Sequence, residues 1–246
     1  MKRAVRITLQ SLFFLVFLAG MGTLLYLSAQ KRHRISCSEL RVNIVDGEKF
    51  VTAQQIDAFI LRAYGVCRGE RIDSIGLDRI ERLICSRDEV KGCEAWVTED
   101  GVLHVDVLQR TPVMRFNKNG EGYYVDAEGY IFPLGDNYEA PVPVIDSDLK
   151  KGFDSDWLHS AIALVTKMSA SPAWKDRIVG YEVDDRGDFI LRSELTCFIW
   201  GDFCDGARKL SCLEKYYNRI LPGCSADEPY TTVNLKYKGQ IICRKD

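Results

Sequence analysis

The chain has 246 residues, of which 46% are hydrophobic and 28% charged. That balance excludes collagen-like and wholly disordered architectures, and the length allows a membrane anchor plus one or two small domains. The net charge of −2 hides an asymmetry, because residues 1–34 hold six basic residues and no acid, leaving 27 basic against 35 acidic residues in the remainder, a net −8. An acidic body argues against a nucleic-acid binder, which needs clustered cations to displace phosphate counterions.

The basic residues flank an apolar segment. From Ile7 to Ala29 there are 23 residues without a charge. A helix rising about 1.5 Å per residue over that length matches a hydrocarbon core of roughly 30 Å. The apolar core of a cleaved signal peptide is shorter, about 7–15 residues. The segment is therefore expected to be an uncleaved transmembrane helix at 7–29, after a cytoplasmic tail at 1–6 and before a juxtamembrane linker at 30–37. Lys2, Arg3 and Arg6 on one side balance Lys31, Arg32 and Arg34 on the other, so the charges alone do not set the orientation.

A small α+β unit is expected at 38–110. Ser38–Asp46 alternates Leu40, Val42 and Ile44 as a strand, and Gly47 turns the chain. Thr52 followed by Gln55 is a capping box, which opens a helix carrying Ile56, Phe59, Ile60 and Ala63 and ending at Gly65. A second helix is expected over Ile75–Cys85, with Leu77, Ile80, Leu83 and Ile84 on one stripe. Two short strands follow around Glu99-Asp100-Gly101, the second alternating Leu103, Val105 and Val107 with His104 and Asp106. The order β-α-α-β-β predicts a sheet with both helices on one face.

Thr111-Pro112 marks a break, and 111–246 reads as a mixed β domain with two inserted helices. Tyr123-Tyr124-Val125 and Tyr130-Ile131-Phe132 flank a turn at Asp126–Gly129, and an extended segment runs from Pro141 through Pro143 to Ile145. The spacing of Trp157, Ala161, Leu164, Val165 and Met168 predicts a helix near Asp154–Ser169. A hairpin of Val179–Val183 and Phe189–Arg192 and a strand at Cys197–Gly201 come next. The last helix is expected over Gly206–Leu221, presenting Leu210, Leu213, Tyr217 and Ile220. The chain closes in a strand pair, Thr232–Tyr237 and Gln240–Arg244, around Lys238-Gly239. A sheet that finishes on its chain terminus offers a candidate open edge.

The nine cysteines are an odd number without any Cys-x-x-Cys pair, and His33, His104 and His159 are scattered. Zinc spacing is absent, and no metal or cofactor is expected. The favoured reading is that most of the cysteines are small buried hydrophobes, since the chain is too long to need disulfide staples. No phosphate-binding loop, nucleophile elbow or metalloprotease helix occurs. Asp184-Asp185 and the pair Asp202 and Asp205 lie beside glycines, where local hydrogen bonding explains them. No catalytic residue is assigned, and the chain is not expected to be an enzyme.

The assembled order resembles the FtsQ/DivIB family of bacterial cell-division proteins, whose members carry a single membrane span, a POTRA domain and a β domain. The likeness rests on Leu40-Arg41-Val42, Phe50-Val51-Thr52, Ile80-Glu81, Ala95-Trp96-Val97 and Leu103–Val107 in the first domain. It continues through the junction Gln109-Arg110-Thr111-Pro112-Val113-Met114-Arg115 and the hairpin Tyr124–Gly129 with Phe132. The end, Val233–Gly239, is similar to the family's closing Val-Asp-Leu-Arg-Tyr…Gly stretch, with Asn234 and Lys236 in place of the usual Asp and Arg. The resemblance implies a non-enzymatic assembly role at the division septum, with residues 35–246 outside the cytoplasm. Implied partners are the small membrane proteins FtsB (DivIC) and FtsL, other division proteins that meet the POTRA domain, and the membrane itself. Tyr237, Lys238, Gly239, Gln240 and Ile241 are the expected partner-binding edge, where a partner segment would extend the sheet. A POTRA-containing envelope-assembly or secretion factor is the alternative, although no sequence repeat is visible.

Overall fold

The computed structural model describes residues 13–25, 35–47, 49–135, 137–148, 154–224 and 230–245, and it divides the chain into compact units at Met1–Gln109 and Arg110–Asp246. Within the expected span 7–29, residues 13–25 form a helix, α1, while 7–12 and 26–29 lie outside the described residues. No described helix is long and apolar enough to cross a membrane.

In the first unit β1 (Glu39–Ile44) leads through Gly47 to α2 (Ala53–Ala63). The capping box forms as expected. Thr52 Oγ1 accepts from Gln55 N at 3.2 Å, and Gln55 Oε1 accepts from Thr52 N at 3.0 Å. The second helix, α3 (Leu77–Cys85), starts two residues later than the apolar spacing suggests. Ile72–Ser74 forms a 3-10 turn, and the Tyr64 hydroxyl accepts from Gly76 N at 2.8 Å, which satisfies a donor at the helix start.

Strands β2 (Val90–Val97) and β3 (Val102–Gln109) complete a sheet of order β1-β3-β2, longer than the short strands expected. β1 runs parallel to β3, so the intervening helices form a crossover onto one face. There Ile56, Ile60, Ile80 and Ile84 cover Leu103, Val105 and Val107 in one buried cluster. On β2 and β3, Trp96 stacks on His104 with ring centroids 5.2 Å apart. The buried Gln109 side chain closes this unit, accepting from Val51 N at 2.9 Å and donating to Gly47 O at 2.7 Å.

The second unit holds a nine-stranded sheet of order β12-β11-β10-β9-β8-β7-β4-β5-β6. Its strands are β4 (Pro112–Lys118), β5 (Glu121–Asp126), β6 (Ile131–Pro133), β7 (Val144–Asp148), β8 (Gly180–Val183), β9 (Phe189–Arg192), β10 (Cys197–Gly201), β11 (Thr232–Asn234) and β12 (Ile242–Arg244). The two helices are crossovers between neighbouring parallel strands. α4 (Ser155–Ala170) joins β7 to β8, and α5 (Gly206–Lys215) joins β10 to β11. Ala161, Leu164, Val165 and Met168 of α4 enter the main apolar cluster, as their spacing predicts.

Three expectations need correction. The buried face of α5 and the turn that follows it is Lys209, Cys212, Leu213 and Tyr216, whereas Leu210, Tyr217 and Ile220 are only partly buried. A lysine occupies a core-facing position because its ammonium leaves the core to meet Asp202 at 2.6 Å. The final strands span three residues each, shorter than Thr232–Tyr237 and Gln240–Arg244, because the connection between them is held by α5. Burial also fails for most of the cysteines. Cys37, Cys67 and Cys212 are buried, but Cys93, Cys197, Cys224 and Cys243 are half-buried, and Cys85 and Cys204 are exposed.

One buried arrangement fixes the start of this unit. Arg110 Nη1 donates to Asp126 Oδ2 at 2.8 Å, and the guanidinium lies 3.5 Å over the Tyr130 ring. The other carboxylate oxygen, Asp126 Oδ1, accepts from Glu128 N at 3.1 Å and Tyr130 N at 2.8 Å, shaping the β5–β6 turn. Asp126 is 1% exposed.

Candidate partner-binding edge

Among the described residues β12 ends the large sheet and pairs only with β11, in the antiparallel register Thr232↔Arg244, Val233↔Cys243 and Asn234↔Ile242. Thr231 N donates to Arg244 O at 3.0 Å, so Arg244 turns its backbone groups toward β11. Backbone direction alternates along a strand. Cys243 therefore directs its N–H and C=O to the open side.

The five expected edge residues fall in the connection that leads into this strand. Tyr237 is exposed, Lys238-Gly239 makes the turn with Gly239 at φ +78°, and Gln240 is exposed. Ile241 is half-buried against the apolar cluster and immediately precedes β12. The backbone edge itself is displaced from them, onto Ile242–Arg244.

The turn is built by α5. Arg208 donates through Nη1 to Tyr237 O at 3.0 Å and through Nη2 to Leu235 O and Lys236 O, each at 3.2 Å. Three successive carbonyls are thereby taken out of strand pairing. Asn234 Oδ1 accepts from Lys236 N at 3.0 Å, an Asx-turn that an aspartate could equally make. Lys236 pairs with Asp188 at 2.5 Å, which raises the lysine pKa above its ordinary value, and Lys238 pairs with Asp205 at 3.1 Å. Gly201 at φ +79° passes under Lys236, where an added Cβ would lie 2.6 Å from Lys236 Cγ.

Beneath the turn, Lys209 is 2% exposed and donates to Asp202 O at 2.7 Å as well as to its carboxylate, with Trp200 5.7 Å away. The Lys209 hydrogen bond holds the Asp202 carboxyl below the usual carboxylate range. Asp184 accepts from Arg186 N and Asp188 N, both at 2.9 Å, in its hairpin turn. Among the described residues no group of three or more His, Cys, Asp or Glu side chains could hold a metal ion.

Sequence reasoning passed over Arg208 and Lys209, since a basic pair inside an amphipathic helix reads as solvated surface. The one available signal was the pair's position three or four residues after Asp205, at a helix start. Replacing Arg208 with Ala should remove about 2 kcal/mol, because hydrogen bonds to charged groups are worth roughly 1.5–3 kcal/mol and this side chain is partly exposed. Amide exchange in residues 235–241 should accelerate in that variant while α4 keeps its protection. Unchanged exchange there would show that the turn is held by something else.

Comparison with known families gives two matches. Residues 111–244 match the family model described as FtsQ/DivIB, C-terminal related, and residues 35–108 match the POTRA-like domain model. No match was found among curated proteins.

Proposed function

Since the chain belongs to the FtsQ/DivIB family of cell-division proteins and carries a POTRA-like domain, we propose that it is a non-enzymatic scaffold of the division machinery. It links early division proteins to septal peptidoglycan synthesis by binding FtsB/DivIC-like and FtsL-like membrane proteins. The proposed layout is a cytoplasmic tail at 1–6, a membrane span at 7–29, a linker at 30–37, a POTRA-like domain at 38–110 that meets upstream division proteins, and a β domain at 111–246. In this reading the protein is held by that span in the inner or plasma membrane at the septum, with residues 35–246 outside the cytoplasm.

The observation that carries the reading is β12, last in the sheet order with the backbone of Cys243 directed outward. A partner segment would pair with it as a tenth strand, with Tyr237, Lys238, Gly239, Gln240 and Ile241 flanking the contact. Main-chain bonds supply affinity in this mode, and alternate side chains supply specificity. The test is capture of the tagged full-length protein from detergent-solubilised membranes. FtsB-like and FtsL-like proteins should co-purify. Recovery of outer-membrane assembly or secretion components in their place would replace this reading.

Topology gives a separate check. A reporter that works only outside the cytoplasm should be active when fused after Asp246, because long domains translocate largely regardless of flanking charge. An active cytoplasmic reporter at that position would overturn both the topology and the septal-wall role.

A further inference from the structure

We propose that the POTRA-like unit contains two disulfide-forming thiol pairs, Cys37–Cys67 and Cys85–Cys93, which together use every cysteine of that unit. The chain around Cys37 runs against the Cys67–Arg71 turn. Cys37 N donates to Glu70 O at 2.7 Å, Gly69 N donates to Cys37 O at 2.8 Å, and Ser36 bridges to Arg71. Glu70 N donates to Cys67 O at 3.2 Å, so a tight turn folds Cys67 back toward the segment that holds Cys37. Both cysteines belong to one buried cluster, at 2% and 4% exposure.

The second pair follows from helix-on-strand register. Glu81 of α3 reaches Ala95 N of β2 at 2.8 Å. Cys85 lies one helical turn beyond Glu81 on the same face, and Cys93 lies two residues before Ala95 on the same face of its strand. Four residues advance about 6 Å along the helix and two residues about 6.6 Å along the strand. With helix and strand antiparallel, Cys85 is carried over Cys93 as Glu81 is over Ala95.

Each bond closes by thiol–disulfide exchange with a disulfide-bearing oxidant. One cysteine thiolate attacks the oxidant, forming a mixed disulfide, and the second thiolate displaces the oxidant's remaining sulfur. The pair loses two electrons and two protons, and the oxidant leaves as two thiols. Burial, with the neighbouring Cys37, Glu70 and Asp57, pushes the Cys67 thiol up to about 11, and burial together with Cys85 and nearby carboxylates pushes Cys93 to about 12. Cys67 and Cys93, so rarely ionised at neutral pH, are slow attacking thiols in the folded unit.

That these bonds close in the cell rests on the extracytoplasmic topology proposed above. Whether the pairs are built to close does not, and the experiment separates the two. The full-length protein, reduced and denatured, is refolded in a buffer of reduced and oxidised glutathione, alkylated, digested and mapped by mass spectrometry without reductant. Two linked peptides are expected, joining Cys37 to Cys67 and Cys85 to Cys93, each lighter by two hydrogens than its parts. Alkylated or glutathione-capped cysteines at these positions, or any other pairing, overturn the proposal. The same map on protein taken directly from membranes then reads the compartment. Linked peptides after refolding but alkylated thiols from cells leave the pairs standing and contradict the topology.

Discussion

Replacing Asp126 with Ala should destabilise the second unit by roughly 3–5 kcal/mol, the range for breaking a buried charge pair by removing one partner. The carboxylate serves three donors at once, Arg110 Nη1, Glu128 N and Tyr130 N, within 3.1 Å, and it is 1% exposed. Its loss takes this acceptor from the Arg110 guanidinium and from both turn amides, which loosens the β5–β6 hairpin. The melting temperature of this unit should fall by roughly 10 °C or more. Asp126→Ala combined with Arg110→Met should recover part of the loss, because an apolar stem on the Tyr130 ring costs less than a largely buried guanidinium deprived of its carboxylate. A fall of only a degree or two in the single variant would mean that this pair does not hold the hairpin.

The second large effect concerns binding. Cys243→Pro should weaken association with an FtsB-like partner by roughly tenfold to a hundredfold while the domain stays folded. Its N–H points to the open side, so proline removes no β11–β12 bond, and edge strands tolerate proline at such positions. Once a partner strand is added, that position becomes central, where the missing donor and the ring block pairing. Losing one or two net hydrogen bonds at about 1 kcal/mol each, plus the steric cost, gives the stated range. Cys243→Ala keeps the N–H and should bind nearly as wild type, so loss of the thiol is separated from loss of the donor. Ile242→Pro, on the inward side, should instead disrupt β12 itself. Circular dichroism and thermal melting control for folding. Wild-type affinity in a folded Cys243→Pro variant would exclude strand addition at this residue.

The fold was legible wherever local chemistry and burial agree. The capping box at Thr52 and Gln55, the alternation of Leu103, Val105 and Val107, and the α4 stripe all come from residues whose pattern and surroundings demand the same conformation. Legibility fails where a distant side chain intervenes. Thr232–Tyr237 alternates well enough to be taken for a strand, but Arg208, distant in sequence, takes the carbonyls from Leu235 onward, and the strand stops at Asn234. The α5 face is misread for a similar reason, since its ion pair with Asp202 is what makes a buried Lys209 tolerable. Arg110 and Asp126 stand in two separate motifs, and nothing in their spacing says that they meet. For the candidate edge, sequence placed the contact near the chain end, whereas the exact backbone atoms depend on that Arg208-held turn.

The most direct measurement of the proposed mechanism is residue-resolved amide exchange over residues 35–246 of the full-length protein, with and without the proposed FtsB-like partner. Protection should rise at Cys243, spread to Ile241 and the neighbouring β12 amides, and leave the opposite edge at β6 unchanged. Protection confined to β6 or to the POTRA-like unit, or no change at Cys243 in a saturated complex, would contradict partner addition at β12.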